Sequence, residues 1–140
     1  MKIFIDANII VSVLNKEYPS FPHTSRILSL GSTGRFQLFT SPLCLAIAFY
    51  FAGKKVSQPA AKEKIHLLSQ NMSITEVSSI TVKSALENPA VKDFEDGLQY
   101  YSAVAAGCQC IVTDDHNDFY FSQLEVLGSS AFYNKYMARA

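Results

Sequence analysis

Two short apolar runs, far apart in the chain, each stop at an acid. Lys2-Ile3-Phe4-Ile5 ends in Asp6 and continues as Ala7-Asn8-Ile9-Ile10, and Cys110-Ile111-Val112-Thr113 ends in Asp114-Asp115-His116-Asn117-Asp118. Apolar runs of this length, rich in β-branched and aromatic residues, read as strands. In a parallel α/β sheet, ligands bind beyond the carboxyl ends of the strands, so acids placed there from distant segments converge on one site. A third acidic stretch, Asp93-Phe94-Glu95-Asp96, opens a helix-like segment between the two runs. Crowded carboxylates repel one another unless a cation is present, and hard divalent cations take oxygen ligands. The pattern predicts a magnesium or manganese site.

The rest of the chain alternates strands and helices, as a parallel sheet with helices on both faces requires. Ile9, Ile10, Val13 and Leu14 recur at helical spacing over Asn8 to Lys16. The two prolines of Tyr18-Pro19-Ser20-Phe21-Pro22 predict a loop. Thr24 or Ser25 is placed to cap a helix that stops near Gly31 or Gly34. Phe36 to Thr40 reads as the second strand, and Ser41-Pro42 starts a helix running to about Gly53. Within that helix Leu43 to Ala52 is apolar throughout, which predicts burial on all sides. Ser57 opens a helix with Ile65, Leu67 and Leu68 inward, and Ile74 to Val77 reads as a short strand. Ser78 or Ser79 caps a helix through Leu86, which ends before Pro89. Asp93 caps the next, with acids in its first turn and Gly107 at its close. After the strand at 109–113, Leu124 to Leu127 is a last strand, and Ser129 or Ser130 starts a C-terminal helix.

At 140 residues the chain is read as a single domain, 1–140. Folding at that length buries on the order of 68–70% of the unfolded surface, enough for a core. The formal net charge of zero gives no overall basic field of the kind a strong nonspecific nucleic-acid binder carries. Lys54, Lys55, Lys62 and Lys64 cluster in sequence and read as a solvated helix face. Cys44, Cys108 and Cys110 form no disulfide framework and read as core thiols in a reducing compartment. The apolar stretch at 43–52 is too short for a bilayer, which needs about 20 residues, so no membrane partner is expected. The N-terminus makes a poor signal peptide. The expected location is cytoplasmic.

Three segments, in order and at strand ends or helix starts, resemble the motifs of PIN-domain ribonucleases. Phe4-Ile5-Asp6-Ala7-Asn8-Ile9-Ile10 is similar to the family's first motif, and Phe94-Glu95-Asp96-Gly97-Leu98-Gln99-Tyr100-Tyr101-Ser102-Ala103 to its third. Gly107 to Phe119 is similar to its fourth. The resemblance, in the small prokaryotic toxin-like branch, implies a three-layer α/β/α sandwich around a central parallel sheet. It implies magnesium- or manganese-dependent hydrolysis of RNA, an antitoxin protein as partner, and a homodimer. By motif, Asp6 is a metal ligand, Asp96 the third acid and Asp115 the fourth, with Asp118 a further candidate. Thr113 matches the family's hydroxyl beside that acid, and Asn8 and Glu95 are supporting residues. Many members carry a glutamate in the central helix. Here Leu43-Cys44-Leu45-Ala46-Ile47-Ala48-Phe49 holds no acid, with Ile47 or a neighbour at that place.

Each residue also has a plainer reading. Asp6 suits an N-cap, Asp96 a helix dipole and Glu95 a solvated acid. Asp114 and Asp118 are not separable by sequence, His116 reads as solvent-exposed, and Ser12 is either a phosphate contact or helix filler. Tyr50, Phe49, Tyr100 and Tyr101 suit base stacking or core. The competing functional reading is a catalytically degraded module that binds RNA or a protein. An aspartyl-phosphate phosphatase or receiver domain is disfavoured by Asn8 and by the lack of a lysine in Leu127-Gly128-Ser129.

Overall fold

The structure, a computed structural model, describes residues 1–138. In chain order it contains β1 (Lys2–Ile5), α1 (Ala7–Leu14), α2 (Phe21–Ser29), β2 (Gln37–Thr40), α3 (Pro42–Lys55) and α4 (Gln58–Ser69). These are followed by β3 (Ser73–Ile74), α5 (Ser79–Glu87), α6 (Phe94–Ala105), β4 (Cys110–Val112), β5 (Glu125–Leu127) and α7 (Ser129–Phe132). Short 3₁₀ turns occupy Leu30–Ser32 and His116–Phe119, and a π-turn, Tyr133–Met137, follows α7.

The five strands form one parallel sheet in the order β3-β2-β1-β4-β5, the central layer of an α/β/α sandwich. Ile3, Phe4 and Ile5 of β1 and Cys110, Ile111 and Val112 of β4 are all fully buried, as central parallel strands must be with both faces covered. Each such side chain contributes roughly 1.5–3 kcal/mol of burial. The chain order reverses between β1 and β4, which makes their carboxyl ends the switch point where such sheets bind ligands. The ladder continues past the strands at that point. Asp6 N–H donates to Val112 O (3.0 Å) and Thr113 N–H to Leu127 O (2.9 Å), so both residues are held by backbone bonds beside each other.

Four helix starts follow the expected caps, whereas α2 begins ahead of the Thr24 or Ser25 expected to cap it. Ser41 accepts from Cys44 N–H, Ser57 from Ala60 N–H, Ser78 from Thr81 N–H, and Asp93 from Glu95 and Asp96 N–H. Gly107 closes α6 at φ +82°, a backbone state that suits glycine. Gly97 is needed for packing, because a Cβ there would stand 2.6 Å from Val91 Cγ1 and 3.0 Å from Ala85 Cβ.

Four local expectations are corrected. α2 begins at Phe21 with Pro22 in its first turn, so that proline starts a helix instead of belonging to a loop. α3 is not buried on all sides. Only Cys44, Ala48 and Ala52, spaced by four, are buried along it, while Tyr50 and Phe51 are exposed. Close packing on α1 and α4 selects the small residues and turns the large ones outward. On α4 Ala61 is the buried residue and Leu67 is exposed, and β3 ends at Ile74. Lys54, Lys55, Lys62 and Lys64 are all exposed, as expected, and the amines of Lys55 and Lys64 also donate to Asn15 O and Leu14 O at the end of α1. The three cysteines are free and buried, as expected. No helix among the described residues is long and apolar enough to cross a membrane.

Candidate active site

At the switch point lies a cavity of about 340 Å³ lined by Asp6, Asn8, Glu95, Asp96, Asp115 and Asp118, together with Ala7, Val11, Glu17, Ile47, Phe51 and Gln99. Every acid picked from the sequence as a ligand therefore faces one space. No lysine or arginine among the described residues lines it.

Asp6 is held from several sides. Its Oδ1 accepts from Ala7 N–H (2.8 Å), so it caps α1, and Cys44 Sγ stands 3.7 Å from the same oxygen. Thr113 Oγ1 donates to Asp6 Oδ2 (2.8 Å), and Asn8 Nδ2 lies 3.2 Å from it. Capping and site roles coexist in this residue. Asn8 Nδ2 also reaches Thr113 Oγ1 (2.8 Å) and Asp115 Oδ2 (3.2 Å), while Asn8 Oδ1 accepts from Asp114 N–H (2.9 Å). Thr113 Oγ1 in turn accepts from Asp115 N–H (3.1 Å). Asn8 and Thr113 thus tie the loops after β1 and β4 into one unit.

The structure separates Asp114 from its neighbours. Asp114 accepts from Ser129 N–H (2.7 Å) and Ser129 Oγ (3.0 Å), which commits it to the start of α7, whereas Asp115 and Asp118 line the cavity. Ser12 makes no contact with the cavity. It is buried and bonds Ser20 Oγ (2.8 Å) and Thr24 Oγ1 (2.9 Å). His116 is exposed, Tyr100 is core, and Tyr50 is on the surface.

Burial and mutual repulsion push the carboxyls up from their ordinary range. Asp96 rises to about 7, first through desolvation and then through the charges of Asp93, Asp118, Asp6 and Glu95. Asp6 is raised by burial against the pull of its Thr113 and Ala7 hydrogen bonds. Glu95 and Asp118 are also raised, each by desolvation first and neighbouring carboxylates second. A divalent cation relieves that repulsion, and the donors are all oxygen, the set hard cations select. Among the described residues, however, no three acidic, histidine or cysteine side chains draw together into a closed metal cage. The Asn8 amide bridges Asp6 and Asp115 instead. The arrangement suits an ion that keeps several waters more than one held wholly by protein.

Sequence reading missed Glu17, Phe51 and Gln99 as cavity residues. Gln99 carried a signal, since it follows Asp96 by three positions and shares its helix face. Ile47 does line the cavity, where an acid was sought.

The sequence matches the PIN domain family over residues 2–117. The chain belongs to the PIN-domain family. This PIN domain is 27% identical over 135 residues to a protein named Ribonuclease VapC1 from Aquifex aeolicus, covering 94% of this chain and 92% of that one. Among solved structures it is similar to VapBC2 from Rickettsia felis, bound to a DNA fragment from its promoter (TM-score 0.70, 18% identity, 91% of this chain and 98% of that one). It is similar also to VapBC-1 from nontypeable Haemophilus influenzae (TM-score 0.69, 15% identity, 93% of this chain and 99% of that one). At these identities the structural likeness speaks for the fold.

Proposed function

We propose that this PIN domain is a divalent-metal-dependent ribonuclease and the toxin of a cytoplasmic toxin–antitoxin pair. The observation that carries the reading is the convergence of Asp6, Asp96, Asp115 and Asp118, from three separate segments, on one cavity without a basic side chain among the described residues. The relative named as a ribonuclease and the VapBC assemblies among its structural neighbours support it.

In this reading Asp6, Asp96 and Asp115 hold magnesium or manganese, with Asp118 beside them. The bound ion supplies an activated water and offsets charge on the phosphoryl oxygens. Magnesium needs only one or two carboxylates plus waters and phosphate, so the apolar Ile47 does not exclude it. Thr113 and Asn8 hold Asp6 and Asp115 in place through the hydrogen bonds above. Glu95, exposed at the rim, adds negative potential at the entrance. The partner would be an antitoxin protein. A homodimer belongs to the same reading, with exposed Ile80 and Leu86 of α5 as available apolar surface.

A second reading, a PIN-fold module that binds RNA without cutting it, is favoured by Ile47 at the cavity wall. One experiment separates the two. Single-stranded RNA is incubated with wild type in magnesium, manganese or EDTA, beside Asp96→Asn. Metal-dependent cleavage lost in the variant supports the ribonuclease. RNA binding without cleavage in either metal supports the module.

A further inference from the structure

The cavity changes character along its length. α1 and α3 lie side by side and run the same way: Asp6 meets Cys44 near their starts, and Lys55 meets Asn15 near their ends. Ala7 and Val11 on α1, and Ile47 and Phe51 on α3, are each one turn apart, about 6 Å along the helix axis. Leading away from the carboxylates, the walls are therefore apolar, and Glu17 stands at the rim of that end.

Glu17 is presented by a fixed turn. Lys16 sits in the left-handed region at φ +50°. Glu17 N–H donates to Ser12 O (2.9 Å), and Glu17 O accepts from Phe21 N–H (2.8 Å) and Ser20 Oγ (3.2 Å). Glu17 follows the far end of α1, whose start is capped by Asp6, which places it at the apolar end of the cavity. Beyond it, Lys55 and Lys64 gather at the end of α1, and Lys54 lies over the Tyr50 ring.

Along the cavity the lining passes from carboxylates to an apolar wall with the exposed Phe51 and Glu17, and the lysines lie outside it. In RNA the base hangs off the ribose to the side of the phosphate backbone, so a base can enter the apolar end while its phosphate meets the carboxylates. The cavity volume, about 340 Å³, lies at the small end of ligand pockets, which run roughly 300–1,000 Å³. Single-stranded RNA is read by stacking a splayed base on an aromatic ring and bonding its Watson–Crick edge. A carboxylate accepts best from two adjacent N–H groups, and guanine alone among the four bases offers a ring N–H beside an amino group. Adenine and cytosine place a ring acceptor there, and uracil offers one N–H between carbonyls.

We infer that the apolar end is a base subsite beside the reacting phosphate, with Phe51 stacking on the base and Glu17 selecting guanine. It rests on the ribonuclease reading for the phosphate next to it, and it names the residues that set sequence preference.

The chain contains no tryptophan, so Phe51→Trp introduces a single reporter at the subsite. Phe51 is 48% exposed and Glu17 is exposed, so the fold does not depend on either. With calcium in place of magnesium, uridine pentaribonucleotides carrying one central guanosine, inosine, adenosine or cytidine are titrated against the indole fluorescence of the otherwise wild-type Phe51→Trp protein. The guanosine pentamer is expected to quench at concentrations at least tenfold lower than the adenosine and cytidine pentamers, with inosine between. Adding Glu17→Gln should abolish that difference. Equal titrations, no quenching by any pentamer, or a guanosine preference that survives Glu17→Gln overturns the inference. Cleavage mapping with otherwise wild-type protein separates its failure from that of the ribonuclease reading. Cutting with no guanosine preference leaves the nuclease and removes the subsite. Glu17-dependent guanosine binding without cutting leaves the subsite and removes the nuclease.

Discussion

Replacing Asp96 with asparagine should make the metal-free protein more stable at pH 8. The carboxyl of Asp96 is raised from 3.8 to about 7 by burial and by the neighbouring acids. The folded state thus holds its proton more tightly than the unfolded chain between those values. Stability contributed by the protonated form is fully present below pH 4 and declines as pH rises toward 7, because the unfolded chain gives up the proton more readily. At ~1.36 kcal/mol per pH unit, a rise of about 3 caps the cost of the ionised form near ~4 kcal/mol. Asp96 is only partly buried, so solvent screening reduces this to about 1–2 kcal/mol. Asparagine also forfeits ~0.3–1 kcal/mol of helix-dipole stabilisation in the first turn of α6. The net gain is about 1 kcal/mol, or roughly 3 °C in Tm for a chain of this size.

The assay is thermal unfolding followed by circular dichroism, in EDTA, at pH 5 and pH 8. Asp96→Asn should melt above wild type at pH 8, and the gap should shrink or reverse at pH 5. Magnesium should then raise the wild-type Tm while leaving the variant nearly unmoved, since a ligand at 100 times its Kd adds ~2.7 kcal/mol to the state it binds. A variant that melts at or below wild type at pH 8 would refute the claim that burial and like-charge crowding together strain the ionised Asp96.

Other perturbations probe its neighbours. Thr113→Val removes a buried hydroxyl that donates to Asp6 and accepts from Asn8 and Asp115 N–H; it should lower Tm by roughly 3–10 °C. The same change deletes a bond that lowers the Asp6 pKa, so magnesium binding followed by calorimetry should shift to higher pH. Asp114→Ala should destabilise by about 1–2 kcal/mol in urea unfolding through its lost bonds to Ser129, yet bind metal like wild type. Ile47→Glu should tighten manganese binding on the order of tenfold, ~1.4 kcal/mol, in calorimetry and lower the Tm in EDTA.

What could be read from the sequence follows how each residue is positioned. Asp6 and Thr113 lie one residue past central strands, and ladder hydrogen bonds extend to both, so an apolar run ending at a polar residue locates them directly. Asp93 and Asp96 are found the same way, from cap chemistry at a helix start. Glu17 had no such marker. It reaches the cavity through a left-handed turn at Lys16 and a hydroxyl cluster of Ser12, Ser20 and Thr24, which are tertiary facts without periodicity. α3 misled for the opposite reason. Its composition is uniformly apolar, so no stripe tells which side is inward. Contact with both α1 and α4 decides it, in favour of Cys44, Ala48 and Ala52.

That outward turn of the large residues gives the missing acid a structural consequence. A glutamate at position 47 would add another like charge to a cavity whose carboxyls are already pushed up by their neighbours. Isoleucine there relieves part of that repulsion and, under the proposed function, weakens the hold on a cation. It also extends the apolar surface from Val11 to Phe51 up to the carboxylates themselves. Under the proposed function the chain would hold its metal less tightly when free, and substrate phosphate would complete the coordination that the protein leaves open. Base contacts at Phe51 and Glu17 would then contribute to metal retention, because both ligands favour the same assembled state. Metal affinity should accordingly rise when a guanosine-containing RNA is present. The rise should be smaller in Glu17→Gln, even though Glu17 lies outside the carboxylate cluster.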